Sequence, residues 1–324
     1  STFSDESIAS IDIGKIKNAV VTVGTFDGVH IGHQLVIAKL VEAAKRIEGE
    51  SVLITFEPHP RIVVQPGYDL RLILSMDERV QIFSQLGVDH LFIIHFTKEF
   101  AQFSSEYFLE KYIYEVFKPV KLIIGYDHQF GKERRGDIHF LGQMAAKLGF
   151  AVEQIEAEDL AGFAISSTRI RDAIKKGDMQ LVSNLLGYYY SISGLVVKGN
   201  RLGRTLGFPT ANIHLDDPEK LIPYYGVYAT LVDYKGTIYK GMSNIGIRPT
   251  LNQHNLNIEV NIFDFNKEIY GENLRLYLVE HTRDEKRFRD LDLLRRRLVI
   301  DQVKIKKILE SVNVDQKLLF TTKK

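Results

Sequence analysis

The sequence predicts two domains: an N-terminal α/β domain with a Rossmann-like parallel sheet, and an antiparallel β-barrel domain that closes with a C-terminal helix. Up to about residue 185, short apolar runs alternate with segments of helical periodicity, which favours a parallel sheet with crossover helices. Beyond about residue 188, strand patterns follow one another across turns, as in a small barrel or sandwich. We therefore place the domains at 1–186 and 187–324.

The elements of the first domain follow from periodicity. Helical spacing of apolar residues predicts helices near 35–48, 77–86, 104–117 and 138–148. Apolar runs predict strands at 20–23, 52–56, 91–94, 122–124 and 150–155. No Gly-x-Gly-x-x-Gly follows any of these strands, so the usual dinucleotide fingerprint is missing. In such sheets, ligands bind beyond the carboxyl ends of the strands.

The second domain shows a hairpin signal at Lys235-Gly236, between strand patterns at 226–232 and 237–242. A longer turn at 266–273 separates two further strand patterns, at 256–263 and 274–279. The predicted terminal helix carries one apolar stripe, made of Leu291, Leu294, Leu298, Ile305, Ile308 and Leu309. We interpret its Arg295-Arg296-Arg297 run as a solvated face.

Composition limits the function. The 324 residues carry a formal net charge of +1, which gives no reason to expect nucleic acid or an anionic membrane as a partner. The absence of cysteine excludes disulfides and thiolate catalysis and fits a reducing compartment. No apolar stretch approaches the roughly 20 residues of a membrane span, and residues 1–15 lack a signal-type apolar core. We expect a cytoplasmic protein whose oligomeric state is open.

The most informative feature is the pair His30 and His33, within residues 24–34. The pair follows a predicted strand and opens a predicted helix, where free N–H groups and the helix dipole favour a phosphate. Residues three apart on a first helical turn can direct both imidazoles the same way. Three glycines, Gly24, Gly28 and Gly32, allow close backbone approach. The alternative is a pair of surface histidines at a helix start.

This arrangement suits nucleotidyl transfer. In that reaction an acceptor oxyanion attacks the α-phosphate of ATP and pyrophosphate leaves, while the protein positions the partners and stabilises charge. The sequence shows no phosphate-loop lysine, so the histidines would supply the donors to the phosphates. A covalent enzyme intermediate is not needed, which agrees with the lack of an obvious nucleophile–base pair.

Three further segments follow predicted strands. The segment 55–60 is rich in aromatics and prolines and suits either a wall for a flat ring or a rigid turn. The segment 125–137 combines aromatic, basic and glycine residues, so it either stacks a base and holds phosphates or is a charged, mobile loop. The segment 165–171 places hydroxyls and two arginines at a helix start, as an N-cap or a second anion site.

The strongest signal of the second domain is the run 199–212. Its glycines, Gly199, Gly203 and Gly207, suit a backbone that wraps phosphates. Thr210 and Asn212 are two apart and can point the same way from an extended chain, as hard oxygen ligands for Mg²⁺. A simple turn is the alternative reading of Pro-Thr-Ala-Asn.

Glu259 lies on the polar face of an alternating strand pattern. A glutamate in this setting is either solvated or, if it reaches the attacking hydroxyl, a general base.

Resemblance to known families carries these hypotheses further. The His30-Ile31-Gly32-His33 signature resembles the nucleotidyltransferase superfamily, which includes class I aminoacyl-tRNA synthetases and small adenylyltransferases. The longer string 25–30 resembles the bacterial bifunctional riboflavin kinase/FAD synthetase family. The second half, including 246–250 and 283–288, is similar to the riboflavin kinase module, so the resemblance covers about 14–310.

The resemblance implies roles for specific residues. His30, His33 and Arg171 would be catalytic in adenylyl transfer, and Glu259 would activate the ribityl 5′-hydroxyl in the kinase step. The first ATP site would comprise Gly24, Phe26, Asp27, His30, Gly32, His33, Asp127, Ser166, Thr168 and Arg171, and its flavin wall Phe56, Pro58, His59 and Phe130. The kinase ATP site would comprise Gly199, Gly203, Gly207, Thr210 and Asn212, with Mg²⁺ at the last two and flavin at Arg283, Arg287 and Phe288.

The implied function is two-step flavin cofactor synthesis with riboflavin, FMN, FAD and ATP as small-molecule partners, and with neither nucleic acid nor membrane. At 128–129 this chain has His-Gln where many relatives carry Phe-Arg, which puts stacking and phosphate pairing there in doubt. Two alternatives stay open at this point. A tRNA-charging enzyme would need a nucleic-acid surface and a lysine-rich second signature, whereas a flavin storage or sensor protein would not need the histidines or Thr210 and Asn212.

Overall fold

The computed structural model describes residues 2–4, 16–65, 67–126, 131, 136–155, 165–199, 202–250 and 253–313. The chain divides into two compact units, Ser1–Ser166 and Ser167–Lys324. Residues 167–186, which lie before the predicted boundary, therefore belong to the second compact unit.

The first unit contains a six-stranded sheet in the order β1-β4-β3-β2-β5-β6, and every neighbouring pair is parallel. Its strands are β1 (Thr2–Ser4), β2 (Val20–Val23), β3 (Ser51–Glu57), β4 (His90–His95), β5 (Lys121–Ile124) and β6 (Ala151–Gln154). Every residue of β2 is buried, as expected of a central parallel strand with both faces covered. The predicted Rossmann-like sheet is thus confirmed, and β1 adds a short edge strand that the apolar pattern did not indicate.

Helices connect these strands. They are α1 (Ile31–Arg46), α2 (Pro60–Val64), α3 (Met76–Gln85), α4 (Ser105–Phe108), α5 (Glu115–Phe117) and α6 (Ile138–Leu148), with a 3-10 turn at Phe100–Gln102. A π-helical turn, Leu109–Tyr114, joins α4 to α5, so the predicted helix 104–117 has an irregular middle. A capping box of Ser75 and Glu78 begins α3.

The second unit begins with α7 (Ser167–Lys176) and α8 (Met179–Leu186) and continues as a closed antiparallel barrel in the order β10-β11-β8-β7-β12-β9. The barrel strands are β7 (Ser191–Val197), β8 (Ala211–Leu215), β9 (Gly226–Tyr234), β10 (Thr237–Thr250), β11 (Gln253–Ile262) and β12 (Asn273–Asp284). Two helices complete the unit, α9 (Leu202–Thr205) and α10 (Leu291–Glu310). A barrel, rather than a sandwich, is therefore observed.

Two connections in the barrel differ in kind. β9 and β10 pair directly, and the turn residues Lys235 and Gly236 have φ values of 52° and 79°, so the predicted hairpin is confirmed. β11 pairs with β10 and β8, whereas β12 pairs with β7 and β9. The predicted longer turn between β11 and β12 therefore crosses between strands that are not neighbours.

The terminal helix packs through part of its predicted stripe. Ile305 and Leu309 are buried in the core that α10 shares with the barrel, and Leu294, Leu298 and Ile308 pack against that core. Leu291 is 51% exposed, so its place on the buried stripe was wrong. The prediction that the Arg295-Arg296-Arg297 run is a solvated face is only partly correct, because Arg297 forms an ion pair with the buried Asp301.

Candidate active sites

The loop between β2 and α1, residues 24–30, turns through an unusual backbone path. Phe26 and Val29 have φ values of 48° and 32°, a region that side chains other than glycine rarely adopt. Position 28, at φ 88°, favours glycine, since a Cβ there would lie 3.0 Å from the side chain of Ile73. Such local strain is typical of functional loops.

The two histidines lie together at the start of α1. His30 is the N-cap residue, and its Nδ1 accepts a hydrogen bond from the His33 backbone N–H at 3.3 Å. The imidazole rings stack, with centroids 3.6 Å apart and planes 16° from parallel. The prediction that both rings face the same way is confirmed.

Burial keeps both imidazoles neutral. Desolvation lowers the pKa of His30 from 6.5 to about 4, although the Asp27 charge opposes the shift. Desolvation, aided by the neighbouring His30, lowers the pKa of His33 well below 6.5. Because His30 Nδ1 accepts a hydrogen bond, its neutral ring carries the proton on Nε2. His33 Nδ1 is buried and has no hydrogen-bond partner in the described part of the chain.

Phe26 and Asp27 belong to the loop, but their side chains are buried beneath its surface. The Phe26 ring is 3% exposed and meets the His33 ring edge-on at 5.2 Å. Asp27 is 1% exposed, and its Oδ1 accepts hydrogen bonds from the backbone N–H groups of Ile73 and Leu74 at 3.0 and 3.3 Å. Both side chains shape the loop, and direct contact between either of them and a nucleotide stays a prediction.

The flavin-wall residues differ in exposure. The Phe56 ring is 8% exposed and packs in an aromatic cluster with Phe96, at 5.5 Å, and Phe100, at 6.1 Å. It is therefore part of the core of the first unit, and its contact with a flavin stays a prediction. Pro58 and His59 are half-buried beyond the end of β3, where His59 Nδ1 accepts from the N–H of Arg61 and caps α2.

Three further residues predicted for the first site belong to a later segment of the chain. Ser166 precedes α7, which carries Thr168 and the buried Arg171 in the second unit. Asp127 and Phe130, like the variant pair 128–129, lie outside the described residues.

The kinase residues come together through strand register. Glu259 on β11 lies directly opposite Asn212 on β8 and, on its other side, opposite Asn244 on β10. Side chains directly opposite each other in antiparallel strands lie on one face, with Cβ atoms about 4.5–5.5 Å apart. The half-buried Glu259 carboxylate therefore has an amide side chain on each flank.

Two glycines, Gly199 and Gly203, lie close to Asn212 and Thr210. A Cβ on Gly199 would collide with the carboxamide of Asn212, and one on Gly203 would lie 3.2 Å from Thr210 Oγ1. The backbone at Gly199 thus approaches the predicted Mg²⁺ ligand Asn212 as closely as glycine permits, whereas the atom nearest to a Cβ on Gly203 would be the Phe208 carbonyl oxygen, at 2.3 Å. An open cleft adjoins Thr210, lined also by Val196, Arg204, Phe265, Lys267 and Tyr270.

Two asparagines of this site were missed by sequence reasoning. The buried Asn261 donates from Nδ2 to the Pro209 carbonyl at 2.7 Å, which fixes the turn before Thr210. Asn244 flanks Glu259 as described above. Because side chains alternate between the two faces of β11, the sequence could have placed Asn261 on the same face as Glu259. The position of Asn244 beside Glu259 depends on the pairing of β10 with β11, which the sequence does not show.

The flavin candidates of the second unit are anchored differently. Arg283 Nε donates to Asp301 Oδ2 on α10 at 2.8 Å, and its guanidinium lies 6.0 Å from the Phe288 ring centre. Asp301 is 2% exposed and also forms an ion pair with Arg297, whose Nε lies 2.9 Å from Asp301 Oδ1. Arg287 is exposed.

Family models match both halves of the chain. The family model described as FAD synthetase matches residues 13–169, and that described as riboflavin kinase matches residues 186–309. Two relatives are named bifunctional riboflavin kinase/FMN adenylyltransferase. The protein from Listeria monocytogenes is 34% identical over 287 residues, 88% of this chain and 90% of its own length. The protein from Haemophilus influenzae is 35% identical over 281 residues, 86% and 91% of the two chains.

A solved structure shares the whole fold. The crystal structure of a Streptococcus pneumoniae protein described as a macrolide-efflux protein superimposes with a TM-score of 0.83 at 31% identity. The match covers 96% of this chain and 99% of that one. Across the ranges that the structure describes here, no helix has the length and apolar character needed to cross a membrane.

Identities of 34–35% over most of both chains, together with the two matched family models, show which family this chain belongs to. The chain belongs to the bifunctional riboflavin kinase/FMN adenylyltransferase family: it phosphorylates riboflavin with ATP to give FMN, and it transfers the adenylyl group of ATP to FMN, giving FAD and pyrophosphate.

Proposed function

We propose that His30 and His33 hold the phosphates of ATP during adenylyl transfer. The observation that carries this is the stacked pair of neutral rings, His30 buried and His33 half-buried, at the N-terminus of α1. Each neutral imidazole donates one N–H, and the free backbone N–H groups of the first helical turn add further donors. These donors would stabilise charge on the phosphoryl oxygens.

The transfer then needs positioning rather than covalent help. An oxygen of the FMN phosphate attacks the α-phosphorus of ATP, a new P–O bond forms, and the bond to the leaving pyrophosphate breaks. Family resemblance assigns the pyrophosphate end to Ser166, Thr168 and Arg171, and the flavin to Pro58 and His59 among others. Gly24 and Gly32 would let the backbone approach the nucleotide.

At the kinase site, we propose that Glu259 is the general base. It would take the proton of the ribityl 5′-hydroxyl while that oxygen attacks the γ-phosphate of ATP. The support is its register beside Asn212, next to the glycines that approach Thr210 and Asn212. A glutamate that is only solvated would not need Asn212 and the glycines beside it.

We further propose that Thr210 and Asn212 hold Mg²⁺ together with the nucleotide. Their oxygens are hard donors, and two neutral ligands suit an ion that keeps waters and phosphate oxygens. No cluster of three or more His, Cys, Asp or Glu side chains able to hold a metal occurs within the described ranges. When bound, Mg²⁺ would neutralise charge on the phosphates.

The base assignment is tested with Glu259→Gln in the full chain. With riboflavin, ATP and Mg²⁺, chromatographic separation of flavins should show FMN formation lowered by about 10²- to 10⁴-fold. FAD formation from supplied FMN should stay at the wild-type rate. Glu280→Gln, an exposed position on β12, is the matched control. FMN formation at the wild-type rate in Glu259→Gln would show that this carboxylate is not the base.

A further inference from the structure

A buried arginine lies behind the loop that carries the histidines. Arg79, on the first turn of α3, is 1% exposed and ranks among the largest fully buried side chains of the described residues. Arginine is almost never fully buried unless its guanidinium is paired. Its partners therefore indicate what it does.

The guanidinium bridges two places at the carboxyl edge of the sheet. Nη1 donates to the Thr25 carbonyl at 3.0 Å, and Nη2 donates to Glu57 Oε2 at 2.7 Å. Thr25 lies in the loop after β2, and Glu57 is the last residue of β3. Nε is buried and makes no hydrogen bond within the described residues. One side chain thus ties the loop to the neighbouring strand.

The region around Arg79 holds the next two loop residues as well. Phe83, on α3, meets the Phe26 ring edge-on at 5.8 Å, and Phe26 in turn contacts His33. The backbone N–H groups of Ile73 and Leu74, just before α3, bind Asp27. Three consecutive residues, 25–27, are therefore fixed from one side by the segment 73–83.

This support matters because the loop backbone is strained. Phe26 and Val29 keep positive φ values only if the surroundings impose them. The Thr25 carbonyl is the point where the chain leaves the sheet, and Thr55 Oγ1 also donates to it, at 3.3 Å. A planar guanidinium serves two acceptors in fixed directions, which an ammonium group cannot do.

We propose that Arg79 is a positioning residue for adenylyl transfer: by fixing the Thr25 carbonyl, it holds the loop so that His30 and His33 keep their stacked placement. This rests on the proposed role of the two histidines. Arg79 itself touches neither the nucleotide nor the flavin in this proposal.

A purely stabilising role would give a different result from a positioning role. Removing one member of a buried ion pair destabilises a protein because the other charge loses its partner. Here the remaining Glu57 side chain is 40% exposed, so water can solvate its carboxylate when Arg79 is replaced by an apolar side chain of similar size. Arg79→Met is therefore the informative change. Misplacement of reacting groups by about 1 Å costs about 10²-fold in rate. We expect kcat for FAD formation from FMN to fall by about 10- to 100-fold, with the KM for ATP changed far less.

The experiment uses the full chain with Arg79→Met, Arg79→Lys and a control, Lys121→Met, which removes the Lys121–Glu153 pair at the opposite end of the sheet. Thermal unfolding, FMN formation from riboflavin and the imidazole NMR signals of His30 and His33 are measured alongside. We expect shifted imidazole signals in Arg79→Met, partial recovery of kcat in Arg79→Lys, and a wild-type rate in the control.

A folded Arg79→Met variant with wild-type kcat overturns the proposal, as does a loss of kcat with unchanged imidazole signals. If Arg79→Met does not fold, Arg79→Lys decides: wild-type kcat overturns the proposal, and a lowered kcat with shifted signals supports it. The variant His30→Ala with His33→Ala is assayed in parallel. FAD formation by that double variant at the wild-type rate would refute the role of the histidines, whatever Arg79 does.

Discussion

The first site presents two stacked, neutral imidazoles at the start of α1, and their protonation state determines how they interact with a triphosphate. Because burial keeps the pKa of both rings low, the free enzyme offers N–H donors rather than positive charges. A bound phosphate would favour the protonated rings and raise these pKa values. Proton uptake should therefore accompany ATP binding at this site.

The lowered pKa of His30 also affects stability. The folded state binds fewer protons than the unfolded chain, so this contribution is present above pH 6.5 and is lost as the pH falls toward 4. We expect the free energy of unfolding to drop by about 3 kcal/mol over that range for His30 alone.

Chemical denaturation at several pH values, together with an NMR titration of the imidazoles, checks this expectation. The variant His30→Gln with His33→Gln should show a smaller loss of stability as the pH falls. A His30 ring that titrates near 6.5 in the folded enzyme would contradict it.

Single residues were predictable where their partners are close in sequence. His30 and His33 are three apart on one helical turn, so the spacing alone placed them side by side. Arg79 was not predicted, because its partners lie 54 and 22 residues away. Asn261 was missed for the same reason, since Pro209 lies 52 residues before it.

At the level of elements, the second site depends on how closely the segment after β7 approaches β8. Gly199→Ala would place a methyl group against the Asn212 carboxamide, so that side chain or the loop must move. We expect FMN formation to fall at least about tenfold, which corresponds to about 1.4 kcal/mol of transition-state stabilisation. The rate of the kinase step, measured with riboflavin and ATP, checks this.

The matched control is Gly142→Ala on α6, where a Cβ meets nothing within 4 Å. FAD formation from supplied FMN should be unchanged in both variants. Full kinase activity in Gly199→Ala would show that the close approach is not needed.

The Asp301 carboxylate connects α10 to the flavin candidate Arg283 on β12. Asp301→Ala leaves the guanidinium groups of Arg283 and Arg297 without this partner, and loss of one member of a buried ion pair costs about 3–5 kcal/mol. We expect a lower unfolding temperature and a higher KM for riboflavin. Asp292→Ala, an exposed position on the same helix, should change neither. An unchanged unfolding temperature in Asp301→Ala would contradict the expectation.

Elements were predictable where burial leaves a pattern. The parallel strands β2 to β5 are read directly as apolar runs, because both faces of the sheet are covered. The π-helical turn at Leu109–Tyr114 leaves no such pattern, since the same residues fit an ordinary helix. The order of the barrel strands depends on long-range pairing, so the crossing from β11 to β12 could not be read from a turn.

For the whole molecule, the two activities map onto two families matched in sequence order, FAD synthetase at 13–169 and riboflavin kinase at 186–309. The two matched families therefore favour flavin cofactor synthesis over the tRNA-charging alternative. A storage or sensor protein would not explain the glycines and hydroxyl around Asn212. The resemblance seen in residues 14–310 therefore predicted the function correctly.

The variant His30→Ala with His33→Ala tests the central claim, that separate residues serve the two steps. The folded double variant is incubated with riboflavin, ATP and Mg²⁺, and the flavins are separated by chromatography. We predict that FMN accumulates at nearly the wild-type rate and that no FAD forms. Loss of both products, or FAD formation at the wild-type rate, would contradict the account.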